Sequence, residues 1–211
     1  MKKKLALCLV IILLLSLTGC GMSRPVTQEE INAIAAGTVE NGVYENNHFG
    51  IGCAPGEMWQ VETAEDIMAL NEWSAEEDLR EQVLDSLAKP GYFYEMMAQT
   101  EDQSATITVC VENVAILEDP DSTAEDYVRA AVVTAREALS TIEVKGAKVE
   151  QVEKTVAGNV CLGYTISFEN EGRMLYQTSV YLHSGIYAAV VTVSCTGEDI
   201  TDQLLEMFYQ V

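Results

Sequence analysis

Basic side chains are scarce in this sequence: 12 Lys and Arg stand against 33 Asp and Glu in 211 residues. Three of the lysines, Lys2, Lys3 and Lys4, fall in residues 1–19, which hold no acid, so the other 192 residues carry a formal charge of −24. A surface this acidic repels phosphate backbones and excludes nucleic acid as a partner. It also excludes a polybasic attachment to anionic lipid. Histidine is scarcer still, with only His48 and His183. A zinc hydrolase needs clustered imidazoles at helical spacing, and these two lie far apart on expected strands. There is no C-x-x-C pair, which leaves a thioredoxin-like redox site or a zinc ribbon without support. Ser179 and Ser184 lie near His183, yet the G-x-S-x-G turn of a nucleophile elbow is missing. Residues 118–126 pack five acids into nine positions (Glu118, Asp119, Asp121, Glu125, Asp126) but lack the spacing of an EF-hand loop. The sequence therefore assigns no catalytic, metal-binding or cofactor-binding residue. Disorder is excluded as well, because 48% of the residues are hydrophobic.

What is present at the N-terminus is a targeting pattern. The three lysines precede a thirteen-residue apolar run, residues 5–17, broken only by Ser16. A membrane span needs about 20 apolar residues; this length suits the core of a signal peptide. The run ends in Leu17-Thr18-Gly19-Cys20, which resembles the bacterial lipobox. That resemblance implies cleavage after Gly19 and a diacylglyceryl-modified Cys20 as the new N-terminus. One acyl chain holds a protein only marginally, and the two of a diacylglyceryl group anchor it stably. The expected organisation is a signal peptide over residues 1–19, a lipid-anchored tether with a short helix over 20–40, and one domain over 41–211. The expected location is the extracytoplasmic face of the cell membrane.

Helices and strands then follow from start and stop signals. Thr27-x-x-Glu30 opens a helix that Gly37 ends. Tyr44, Phe49, Ile51 and Trp59 punctuate a strand region with a turn at Asn46-Asn47 and a stop at Pro55-Gly56. Thr63-x-x-Asp66 starts a second helix, Ser74-x-x-Glu77 a third with Leu79, Val83, Leu84 and Leu87 on one stripe, and Ser122-x-x-Glu125 the longest, about 123–141. Between them, residues 92–98 and 105–111 form a strand pair joined at Glu101-Asp102-Gln103. Four more strands are expected over 144–156, 159–169, 173–183 and 186–195. A last helix from about Asp199 buries Leu204, Leu205 and Phe208. Helices interrupting hairpin-connected strands give an α+β fold, an antiparallel sheet covered by helices.

Tyr44-x-Asn46-x-x-Phe49-Gly50-Ile51, followed by Pro55-Gly56 and Trp59, resembles the opening of Mog1/PsbP-like domains. Tyr94-x-Met96-Met97-Ala98, Tyr127 and the run from Tyr187 to Thr192 resemble uncharacterised lipoproteins of clostridial-type bacteria with that domain. The likeness spans about residues 40–210. It departs at Pro55-Gly56-Glu57-Met58-Trp59, which has two extra residues before the Trp. It implies an α/β/α sandwich around an antiparallel sheet of six or seven strands. It brings no catalytic residues, and the family's roles in photosystem maintenance or with small GTPases do not transfer to an exported bacterial lipoprotein.

Four cysteines remain once Cys8 leaves with the signal and Cys20 is acylated: Cys53, Cys110, Cys161 and Cys195. They permit three disulfide pairings, or else act as four small buried hydrophobes. Cys110 and Cys161 fall on the face opposite their strand's main apolar run. The aromatics at Tyr44, Phe49, Trp59, Trp73 and Tyr92-Phe93-Tyr94 read mostly as core; any that line a groove would contact a peptide or glycan. The functional expectation is a non-catalytic, lipid-anchored binding or interaction module of the bacterial cell envelope. It is held to the membrane through Cys20 and faces an envelope protein partner. The competing classes are an envelope hydrolase with a dispersed active site and a small-ligand carrier with an enclosed apolar cavity.

Overall fold

The computed structural model of the chain describes residues 37–87, 91–114, 123–142 and 144–211. The expected signal peptide, Cys20, the helix expected at 27–36 and the acids at 118–121 lie outside the described residues. Eleven strands are described: β1 (Thr38–Glu40), β2 (Val43–Asn46), β3 (Ile51–Cys53), β4 (Trp59–Val61), β5 (Tyr92–Thr100), β6 (Ala105–Asn113), β7 (Lys145–Val156), β8 (Asn159–Asn170), β9 (Arg173–Ser184), β10 (Tyr187–Thr196) and β11 (Phe208–Gln210). Four helices accompany them: α1 (Ala64–Leu70), α2 (Leu79–Leu87), α3 (Ala124–Ser140) and α4 (Thr201–Leu205). None is long and apolar enough to cross a membrane among the described residues.

The fold is α+β with two antiparallel sheets. The larger has seven strands in the order β4-β5-β6-β10-β9-β8-β7, and the smaller four in the order β1-β2-β3-β11. The expected sheet of six or seven strands is the larger one. The smaller was not foreseen as a sheet. Residues 42–59 divide among β2, β3 and β4, which belong to different sheets. Phe208 is also corrected: it leaves α4 and pairs with Cys53 in β11, because extended backbone there closes the open edge of β3.

Strict alternation decides the two faces of the large sheet. Ile107, Val109 and Val111 of β6 point to one side with Val191 and Val193 of β10, and join Tyr44, Ile51 and Cys53 of the small sheet. Val83 and Leu87 of α2 and Leu204 and Leu205 of α4 complete that core. The other face packs under α3, where Tyr127, Val128, Ala131, Val132, Ala135 and Leu139 meet Tyr164, Ile166 and Phe168 of β8. As alternation implied, Cys110 lies in the second core and Cys161 in the first. All four described cysteines are free and buried, so the disulfide option is set aside in favour of small apolar filling.

The helix starts show which capping signals win. At α1 the expected box forms: Thr63 Oγ1 accepts the Asp66 NH at 3.2 Å, and Asp66 Oδ2 accepts the Thr63 NH at 3.1 Å. At α3 the box is one residue later than expected, between Thr123 and Asp126. Glu125 instead pairs with Arg129 on the surface. At α2 Ser74 is not the cap. Its backbone is clamped by the Gln82 side chain (Ser74 NH to Oε1 2.6 Å; Nε2 to Ser74 O 3.0 Å), and Asp78 Oδ1 accepts the Arg80 NH at 2.8 Å.

Candidate functional site

β8 and β9 are paired from Asn170–Arg173 up to Leu162–Tyr181, and there the pairing ends. Beyond that rung β8 stays with β7 through Cys161, Val160 and Asn159. β9 stays with β10, through Leu182–Ala189, His183–Ala188 and Ser184–Tyr187. The sheet is therefore forked at this end. Just below the fork the two strands are unusually close: a Cβ built on Gly163 would stand 2.1 Å from the Ser179 carbonyl oxygen, a contact no side chain tolerates. Glycine at 163 lets β8 press onto β9 immediately before the strands part.

A half-open cleft of about 380 Å³ occupies the fork. Residues 159–162 of β8 and 181–184 of β9 form its arms, His48 and Phe49 close it from the β2–β3 turn, and Ala124 borders it at the start of α3. None of these lining residues is Asp, Glu, Lys or Arg. The two histidines expected to be far apart thus meet at one cleft, although 135 positions separate them in sequence. His48 also sits in a turn and not on a strand. Among the described residues no group of three His, Cys, Asp or Glu side chains is arranged to hold a metal ion.

Each wall is held by a buried carboxyl group that sequence reading did not single out. Glu95 lies in the bulge where β5 slips against β6 between Tyr94 and Met96. The Asn71 side chain bonds both the NH (2.7 Å) and the carbonyl (2.8 Å) of Tyr94 and so fixes this bulge. Glu95 accepts the Tyr44 hydroxyl at 2.5 Å, the Gly37 NH at 2.7 Å, and the Asn46 amide at 2.9 and 3.1 Å. Asn46 uses its other atom on the turn: Oδ1 accepts the NH of His48 at 2.8 Å and of Phe49 at 3.2 Å. The path runs from Glu95 through Asn46 to the two residues that close the cleft. Gly37 is required at its start, since a Cβ there would lie 2.5 Å from the Tyr44 ring. Burial raises the Glu95 pKa against the opposing pull of Tyr44, Gly37 and Asn46.

The second carboxyl stands behind the other arm. Glu112 of β6, Ala188 of β10 and His183 of β9 form one row across the sheet. Tyr127 of α3 spans that row. Its hydroxyl donates to Glu112 Oε2 at 2.6 Å, and its ring meets Tyr181 edge-on at 5.4 Å and His183 at 6.3 Å. Burial pushes Glu112 up to about 7, with the Tyr127 bond pulling the other way. His183 is exposed on one side while its ring lies against Tyr181, and the packed side lowers its pKa. It is neutral at pH 7.

The remaining expectations fall as follows. Tyr44, Phe93 and Tyr94 are core, Trp59 and Trp73 are half-buried, and Phe49 alone of the singled-out aromatics reaches the cleft. Cys161 lines the cleft too, but burial pushes its thiol up to about 11, so it remains protonated and weakly nucleophilic. Neither Glu95 nor Glu112 lines the cleft. The useful signal for Glu95 was a lone charge inside the apolar run 92–98. For the His48 turn it was Asn46, two residues ahead of it.

No family model matches the chain, and no curated protein matches it. Among solved structures it is similar to LpqN of Mycobacterium tuberculosis, described as involved in cell envelope biogenesis. That likeness has 12% identity and a TM-score of 0.38, over 74% of this chain and 76% of that one. It is also similar to PA94 of Pseudomonas aeruginosa, a protein of unknown function, at 16% identity and a TM-score of 0.30, over 46% of this chain and 61% of that one. At these scores neither likeness informs the site.

Proposed function

We propose that this protein is a lipid-anchored binding module on the extracytoplasmic face of the bacterial cell envelope, and that its forked sheet is the binding site. The cleft carries the reading. It combines apolar walls with two imidazoles, and its one thiol is held protonated by burial. Such a site suits a ligand, and its thiol is not activated to attack one. The lipobox at residues 17–20 supports the anchor. The Mog1/PsbP-like resemblance is part of this proposal: Tyr44, Asn46 and Phe49, which open its pattern, belong to the Glu95 network and the turn that closes the cleft. A half-open cleft favours docking at the surface over carriage of an enclosed ligand.

An envelope hydrolase is the second reading, favoured by the near-neutral titration of Glu112. Its Oε2 is engaged by Tyr127, and the residue does not line the cleft. The anchor is tested on the protein expressed in a bacterial host. Intact mass spectrometry should give a mature chain beginning at an acylated Cys20, and Cys20→Ala should move the protein from the membrane to the soluble fraction. A mature chain with an unmodified N-terminus elsewhere would sink the reading.

A further inference from the structure

We infer that the β8/β9 fork binds an uncharged amphipathic molecule, with an amide-type head (donor and acceptor together) on a short apolar body. The inference rests on the proposed binding role and names the ligand class.

The head group follows from the strand edges. Residues 159–161 have no partner on β9, and residues 182–184 have none on β8. An unpaired strand edge alternates NH donors with carbonyl acceptors, so a ligand between two such edges meets both kinds. His48 lines the cleft from the β2–β3 turn, with its Nε2 buried and without a hydrogen bond among the described residues. An amide supplies the matching pair. A carboxylate only accepts and an ammonium only donates.

Charge points the same way. Among the described residues no Asp or Glu lines the cleft, and no Lys or Arg does. Burying an ion without a counter-charge is strongly unfavourable. An anion is further repelled by the acidic body, while a cation drawn in by that field finds no carboxylate among the described lining residues. The apolar body follows from Phe49, Leu162 and Leu182, and from Val160, which is 68% exposed at the rim. A volume of about 380 Å³ is at the small end for a ligand site. An arm of three residues is about 10 Å long, which is short for the addition of a peptide strand.

The test uses the full-length chain in lipid nanodiscs, labelled with [13C]histidine. Its two imidazole signals report directly on the two sides of the cleft. Hexanamide, hexanoate and hexylammonium, matched in length, are titrated in turn. Hexanamide should shift both signals saturably, with a dissociation constant at least tenfold below that of either ion. Val160→Asp, at an exposed rim position that the core does not need, should weaken hexanamide at least tenfold with the folded spectrum kept. No saturable shift, or equal or tighter binding of an ion, overturns the inference. Tighter binding of acetyl-trialanine amide also overturns it and assigns the fork to peptide strands. Conversion of hexanamide to hexanoate in the same spectra would defeat the non-catalytic reading while leaving the fork as the site.

Discussion

Glu95 and Glu112 are both buried acids, and they behave differently because of the donors around them. Glu95 is met by three groups, from Tyr44, Asn46 and Gly37, which belong to the small sheet and its entry. Among the described residues the Glu112 side chain is met by one donor, the Tyr127 hydroxyl. A buried carboxylate with several donors becomes a structural clamp, because removing it strands every donor at once. A buried carboxyl with one donor keeps its proton toward neutral pH and titrates where the protein works. The two flank the same cleft: Glu95 fixes the His48 side through Asn46, and Glu112 touches the His183 side through Tyr127. Burial raises both carboxyls, and the two walls differ in how many donors hold them.

The largest expected effect tests the clamp. Glu95→Ala leaves a buried hydroxyl, an amide and a backbone NH without their acceptor, which costs about 3–5 kcal/mol. At roughly 2–4 °C per kcal/mol for a chain of this size, calorimetry should show the melting temperature fall by about 6 °C or more. A smaller loss than that of Glu112→Ala would erase the contrast between the two acids.

The second effect is the pH slope. The folded chain holds the Glu112 proton up to about pH 7, against an ordinary carboxyl value of 4.5. Between those limits the folded state binds more protons than the unfolded one, so stability falls as pH rises. Glu112's stabilising contribution is complete below the unfolded value and is lost as pH passes through about 7. Glu112→Gln removes this term. It should match the parent near pH 5 and exceed it by roughly 3 kcal/mol at pH 8, read by denaturant midpoints. Glu95 shifts in the same direction, so a residual slope should persist in the variant. Equal stability of parent and variant at pH 8 would remove Glu112 as the pH-responsive group.

The smallest effect isolates the single donor. Tyr127→Phe takes away the bond that favours ionised Glu112, so the carboxyl should hold its proton to still higher pH. The loss should be about 1 kcal/mol at pH 5, where the pair is neutral, and about 2 kcal/mol at pH 8, where it is charge-assisted. The same loss at both pH values would mean that the tyrosine serves packing alone.

The part of the fold that could be read from sequence is the part with long periods. β7 to β10 carry ten to twelve residues each and α3 seventeen, and their patterns repeat often enough to fix both type and face. β1, β3, β4 and β11 have three residues each, too few to contain a period, and the small sheet was missed with them. At α3 two capping patterns overlap, Ser122-x-x-Glu125 and Thr123-x-x-Asp126, and composition does not rank them. The bulge at Glu95 breaks alternation, so a strand that alternates on paper places Met96 with Tyr94, whereas it faces the other core. The cleft was not legible because its two imidazoles converge only once both sheets are assembled.

The order of strands in the small sheet has a consequence for how the chain is made. Its two edges are β1 and β11, the first and last described strands, and β3 lacks its outer neighbour until residue 208 has been synthesised. Residues 51–53 therefore wait for residues 208–210. Until then, the apolar side of the large sheet that carries Val109 and Val191 has an incomplete cover. That face is sticky in the nascent chain, and it is the face a chaperone or an export factor would have to shield before the final strand closes it.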